Sequence, residues 1–160
     1  TTEHFKTSSA SGALALSLFW AGRIAGLLTS VKLSKLLKPK MMIFWSAFIG
    51  AMFFLIGLRL NSLLGFYICI AFTGMLFGNC EPQAMALTME AFPGHAGYAA
   101  TIFAIIASCS VILVPYLVGE LLGIFGLAAG MYAAGAFMLL LALVTPLVTQ
   151  KITKSAVSTD

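Results

Sequence analysis

The sequence predicts an all-α membrane protein with five transmembrane helices. Of its 160 residues, 61% are hydrophobic and 9% charged, with a mean hydropathy of +1.04, whereas soluble domains are roughly half apolar and a quarter charged. Several apolar runs reach the ~20 residues that cross a bilayer core about 30 Å thick. The joins between them, KLSKLLKPK, RLNS, FPGH and a Gly-rich ELLGIFGL, are short enough to make consecutive spans antiparallel neighbours.

The first span covers about 11–31 and carries Arg23. On insertion scales a charge at a helix centre costs about 2.5–3.5 kcal/mol, while each Leu, Ile, Phe or Val returns roughly 0.3–0.6. The span can therefore absorb Arg23, which is expected to face protein or a watery cavity rather than lipid. Trp20, Arg23, Gly26 and Ser30 follow one stripe of this helix. The second span, about 41–58, holds no internal charge and is aromatic and bland, as a lipid-facing support would be.

The third span, about 63–91, interrupts its hydrocarbon character with FGNCEPQ. Pro82 cannot donate to the carbonyl of Gly78 and its ring crowds that carbonyl, so a kink is expected at Gly78 and Pro82. In lipid the freed carbonyl must find protein, water or ligand. At 100° per residue, Gly74, Gly78, Glu81, Met85 and Thr88 share one side, while Asn79, Gln83, Ala86 and Glu90 share another. The helix is thus polar on two sides and expected to be largely enclosed, with Glu90 interfacial near its end. Arg23 lies nine residues before Lys32 and Glu81 eleven before Phe92, which places both at nearly the same depth, about 14 and 16 Å from that membrane face. Three readings follow: a structural ion pair that fixes helix packing, direct work on substrate or a coupling proton, or no meeting at all.

The fourth span, about 97–118, spaces Thr101, Ser108 and Pro115 by seven, on one face. A functional lining and a small-residue packing seam predict that pattern equally, and Pro115 marks a second kink. The fifth, about 128–149, is Ala/Leu-rich and bland, and residues 150–160 form a tail with Lys151 and Lys154. Glu120 is expected to be solvated at the outer mouth. Gly22/Gly26, Gly74/Gly78, Gly119/Gly123 and Gly126/Gly130 fit GxxxG spacing, which supports close helix contact without specifying a dimer.

Charge sets the orientation. Lys32, Lys35, Lys38 and Lys40 occupy one loop, and an odd number of spans puts the tail lysines on the same side, against Lys6 and Arg59 on the other. The positive-inside rule then places the Lys-rich loop and C-terminus in the cytoplasm and Thr1 outside, in a multi-pass protein of the cell membrane. The net charge of +4 is topological information rather than a nucleic-acid footprint, so nucleic acid is excluded as a partner. Cys69, Cys80 and Cys109 lie in apolar segments without metal-ligand spacing and read as packing residues. No nucleophile elbow, His/Glu metal spacing or paired carboxylates occur, and His4 and His95 fall at opposite membrane faces, so neither an enzyme nor a cofactor is expected. A start at Thr1, with no Met and no leader, suggests a cropped chain.

LSLFWAGRIAGLL, the Lys-rich loop to KPKMM, and GNCEPQAMALTMEAFPGHAGYAATIFAIIASCSVILVPYLVGEL resemble the C-terminal half of a major facilitator superfamily transporter, from its eighth helix to the passage between its tenth and eleventh. AGR and a proline-containing tenth helix before FPG are similar to the fucose-permease-like sugar branch. The resemblance spans essentially the whole chain and implies five helices corresponding to the last five of twelve. It also implies a missing N-terminal half and seventh helix as partners in the same transporter, and alternating access about a central cavity lined by the first, third and fourth spans. Two departures stand out: the family's loop motif places Asp where Ser30 follows Gly26, and Glu81 stands where relatives often carry an apolar residue.

The leading expectation is therefore a secondary transporter fragment for a small polar solute, which the resemblance implies to be a sugar. Trp20, Arg23, Asn79, Glu81, Gln83, Thr101 and Ser108 are its candidate lining residues, with Glu81 the candidate proton carrier. The alternative is a non-transporting membrane subunit or assembly factor whose polar stripes dock other membrane helices.

Overall fold

The computed structural model describes residues 9–60 and 62–157, with nothing said of the side chains of residues 9, 93, 115, 121, 122, 125, 127–129 and 147–157. Every regular element in it is helical: α1 (Ser9–Leu33), α2 (Pro39–Arg59), α3 (Leu63–Ala91) and α4 (Ala96–Val157), with a 3-10 turn at Pro93–His95. His4, Lys6 and residues 158–160 of the tail lie outside the described residues, as do the side chains of Pro115, Lys151 and Lys154.

Local chemistry sets the ends. Pro39 opens α2, where its missing N–H would have had no intrahelical partner and its fixed φ suits the first turn. Ser62 caps α3 by accepting the Gly65 N–H at 3.3 Å. Helix α3 runs without interruption through Pro82. The chain turns inside α4 at Gly126, whose φ of 80° and ψ of 164° lie in a region open essentially to glycine alone. That break divides α4 into a first arm, 96–125, and a second, 127–157.

Among the described residues, four helices are long and apolar enough to cross a membrane: Ala10–Leu33, Pro39–Arg59, Leu63–Ala91 and Ala96–Glu120. The stretch Gly130–Pro146 in the second arm is apolar but shorter. The fourth and fifth expected spans are thus two helices that meet at a kink at Gly126, with no longer loop between them.

Helix α3 is the hub. Among the described residues it packs against α1, α2 and α4, and α2 also packs against α4, whereas the backbone of α1 comes close to neither α2 nor α4. Gly22 and Gly26 of α1 lie against the carbonyls of Ala71 and Met75, and Gly74 and Gly78 of α3 against those of Phe19 and Arg23, with no room for a Cβ at any of the four. Both sets of partners advance together along the two chains, so α1 and α3 run parallel. Gly78 therefore serves the approach of α1, a role distinct from relief of Pro82.

Helix α2 runs antiparallel to α3: Gly57 faces Cys69 and Gly50 faces Phe77, and the Thr73 hydroxyl reaches the Gly50 carbonyl at 3.3 Å. The second arm packs on α2 and α3 together: it supplies Ala142 to a cluster with Ile43, Ala47 and Cys80, and Met131 to one with Ala15, Leu58 and Phe66. The first arm stands apart. Ala99 excepted, none of its described residues is buried.

Candidate functional site

The polar residues of α3 leave the helix on opposite flanks of its seam with α1. Glu81 lies 200° around the helix from both Asn79 and Gln83, so one face cannot hold all three.

On the first flank, Arg23 of α1 forms an ion pair and hydrogen bond with Glu81 through its NH2 group and the Glu81 Oε2. The guanidinium also lies over the Trp20 ring, 5.1 Å from its centroid. Trp20 is itself held edge-on by Phe19 at 6.1 Å. The pair is partly open, with 30% of the Arg23 side chain and 49% of that of Glu81 exposed. Depth counting from the sequence is what made this meeting legible, because parallel helices with aligned ends put equal counts at equal levels.

Such a triad has definite chemistry. Arg23 offers a planar fork of donors, Glu81 accepts or carries a proton, and Trp20 offers an apolar face half exposed beside them. A polyhydroxylic or zwitterionic solute would find donor, acceptor and stacking surface within one side-chain length.

On the second flank, the Gln83 Nε2 donates to the Ser30 hydroxyl at 3.0 Å, and both residues are buried. Asn79 is 4% exposed, and no donor among the described residues reaches its Oδ1. The Ser30 hydroxyl, near the end of α1, ties that helix to α3 without any charge. Sequence reasoning placed Ser30 on the α1 stripe but did not find its partner; the only signal was that both residues sit near the same end of parallel helices.

Thr101 and Ser108 are not brought to either flank. Both are exposed on the first arm, and the Thr101 hydroxyl bonds back to the Gly97 carbonyl at 2.9 Å, its own preceding turn. Glu90 is exposed near the end of α3 and Glu120 on the first arm. Cys69 and Cys80 are buried and Cys109 is exposed, all three free. No group of three or more His, Cys, Asp or Glu among the described residues is arranged to hold a metal ion.

At the opposite end of the bundle from the Lys-rich loop, Arg59 Nε donates to the Tyr132 hydroxyl at 3.0 Å, joining α2 to the second arm of α4. Nothing in the sequence pattern pointed to this contact.

Residues 1–158 match the family model described as Major Facilitator Superfamily. No curated protein and no solved structure matches the chain.

Proposed function

The chain belongs to the major facilitator superfamily, a family of membrane transporters, and on that premise we propose that it moves a small polar solute, a sugar or polyol, past the Arg23–Glu81–Trp20 flank. The observation that carries this reading is the ion pair itself: it sits in the membrane-spanning part of two helices, partly open, with an aromatic face beside it. Buried ion pairs that serve packing alone are best sealed, because their remaining donors and acceptors need partners. This one leaves a fork and a carboxylate oxygen accessible to a ligand.

In this reading the chain is the C-terminal part of a twelve-helix transporter, with its two α4 arms acting as the fourth and fifth of five spans. The rest of the transporter, the N-terminal half and the seventh helix, completes the cavity. The unpacked first arm leaves a face on which the further helices of this reading can sit. The Lys-rich loop then lies in the cytoplasm with the C-terminus. Glu81 is the proton carrier: protonation releases Arg23 to the solute, and deprotonation restores the pair.

Uptake by the complete transporter in proteoliposomes tests this, with a panel of labelled sugars and polyols across pH. The expected result is saturable uptake of one class that rises with an imposed proton gradient and loses that dependence in Glu81→Gln. Gradient-dependent uptake that survives Glu81→Gln unchanged removes the proton role. Full activity in an Arg23→Gln, Glu81→Gln double variant removes the solute role and leaves the pair structural.

A further inference from the structure

We propose that the groove between the end of α2 and the start of the second arm of α4 binds a membrane phospholipid, with its phosphate on Arg59 and an acyl chain laid along Met52, Leu55, Ile56 and Leu60. The groove has a volume of about 430 Å³ and is lined by those five residues and Tyr132, within the roughly 300–1,000 Å³ of small-ligand sites. Its walls are aliphatic, and its only charge is at one end.

That charge is held ready. Tyr132 takes one of the five guanidinium N–H donors through the Arg59 Nε, and its ring lies beneath the guanidinium at 5.7 Å. Among the described residues no carboxylate pairs with Arg59, the one ion pair there being Arg23–Glu81. Arg59 is exposed, and its two terminal nitrogens are left with a planar fork of donors that matches two oxygens of a phosphate.

Depth selects the occupant. Helix α2 has 21 residues, about 32 Å at 1.5 Å per residue, which carries it across a hydrocarbon core of about 30 Å. Arg59, its last residue, arrives at the level of the lipid phosphates, while Met52, roughly 10 Å below, lies among acyl chains. A cation at headgroup level above an aliphatic trough has the polarity profile of a phospholipid read from phosphate to chain. A soluble anion would use Arg59 and leave the trough unfilled. A partner helix would cover the trough and bury the charge, unless it brought an acid. The proposal requires only that the chain be embedded in a bilayer and is independent of what the Arg23–Glu81 flank transports.

The test is photolabelling of the detergent-extracted, delipidated protein with phosphatidylglycerol bearing a diazirine on one acyl chain, mapped by peptide mass spectrometry. Labelling is expected on the peptides holding Met52–Leu60 and Tyr132. Unlabelled phosphatidylglycerol is expected to compete at least fivefold better than diacylglycerol, which lacks the phosphate, and than glycerol phosphate, which lacks the chains. Arg59→Gln is expected to lower labelling at least fivefold, Arg59→Lys less, and Ile56→Trp, which fills the trough and keeps the cation, as much as Arg59→Gln. Equal competition by diacylglycerol would show a greasy crevice only, and equal competition by glycerol phosphate a free-anion site. An unlabelled groove, or labelling indifferent to Arg59→Gln, likewise overturns the proposal. The competitor series runs on the unaltered protein and decides the matter even if a variant loses its helical circular-dichroism signal.

Discussion

Arg23 and Glu81, 58 residues apart in the chain, meet side chain to side chain across the seam of two parallel helices. Removing either partner leaves the other as a lone charge in the bilayer, whereas removing both leaves none. Arg23→Gln and Glu81→Gln are each expected to lower the stability of the purified protein by about 1–3 kcal/mol, and the double variant by less than either alone. Thermal unfolding of all four proteins in one detergent forms the cycle; additive losses would show that the pair has no coupling.

The four seam glycines sit against backbone, which cannot swing aside as a side chain can. Gly22→Ala, Gly26→Ala, Gly74→Ala and Gly78→Ala are each expected to force α1 and α3 apart, at about 1–3 kcal/mol by analogy with overpacked cores. Gly94 and Gly97 have open space where a Cβ would go, so Gly94→Ala and Gly97→Ala should introduce no such clash. Comparison of melting temperatures across the six variants checks the distinction.

The buried Gln83–Ser30 bond makes a different prediction. Ser30→Ala strands the Gln83 amide and is expected to cost about 0.6 kcal/mol, with an upper range near 1.7, as for other interhelical bonds in membranes. The Ser30→Ala, Gln83→Leu double variant removes both polar groups and should recover most of that loss. Asn79→Leu, which deletes an oxygen without a partner, is expected to be neutral or stabilising. A large destabilisation by Asn79→Leu would mean that the amide has a partner in the assembled protein.

Gly126 holds a backbone conformation that a Cβ disfavours. Gly126→Ala is expected to cost about 1–3 kcal/mol or to change the angle between the arms of α4. Gly123→Ala, three residues earlier in open helix, gains helix propensity and should be neutral or slightly stabilising. Unfolding curves, with a spin-label distance between positions 112 and 140, distinguish strain from rearrangement.

The first three spans could be delimited because their ends carry local signals: Lys32 and the loop after it, Pro39 at the first turn, Ser62 as a cap. The last two spans were harder to delimit, since ELLGIFGL contains Gly123 and Gly126, with Gly119 just before it, and nothing local decides which of them breaks the helix. Depth matching of Arg23 and Glu81 succeeded because it used length alone. Facing was another matter: the 200° between Glu81 and Gln83 could be read from spacing, but not which flank would meet Arg23 and which Ser30, because that depends on where the seam glycines dock. Thr101 and Ser108 share a face by spacing, yet among the described residues both are exposed. The Arg59–Tyr132 contact joins two helix ends distant in sequence, and no periodicity encodes such a meeting.

The hub position of α3 also has a temporal side. The backbones of α1 and α2 do not approach closely among the described residues, so these two consecutive spans gain little from each other as they leave the ribosome. Arg23 must enter the membrane before its counter-charge exists. Synthesis at about 5–20 residues per second puts Glu81 roughly 3–12 s behind it. For those seconds the insertion machinery, or a chaperone in the bilayer, has to keep an unpaired guanidinium in place. The arrival of α3 ends that wait by closing the seam and the ion pair together.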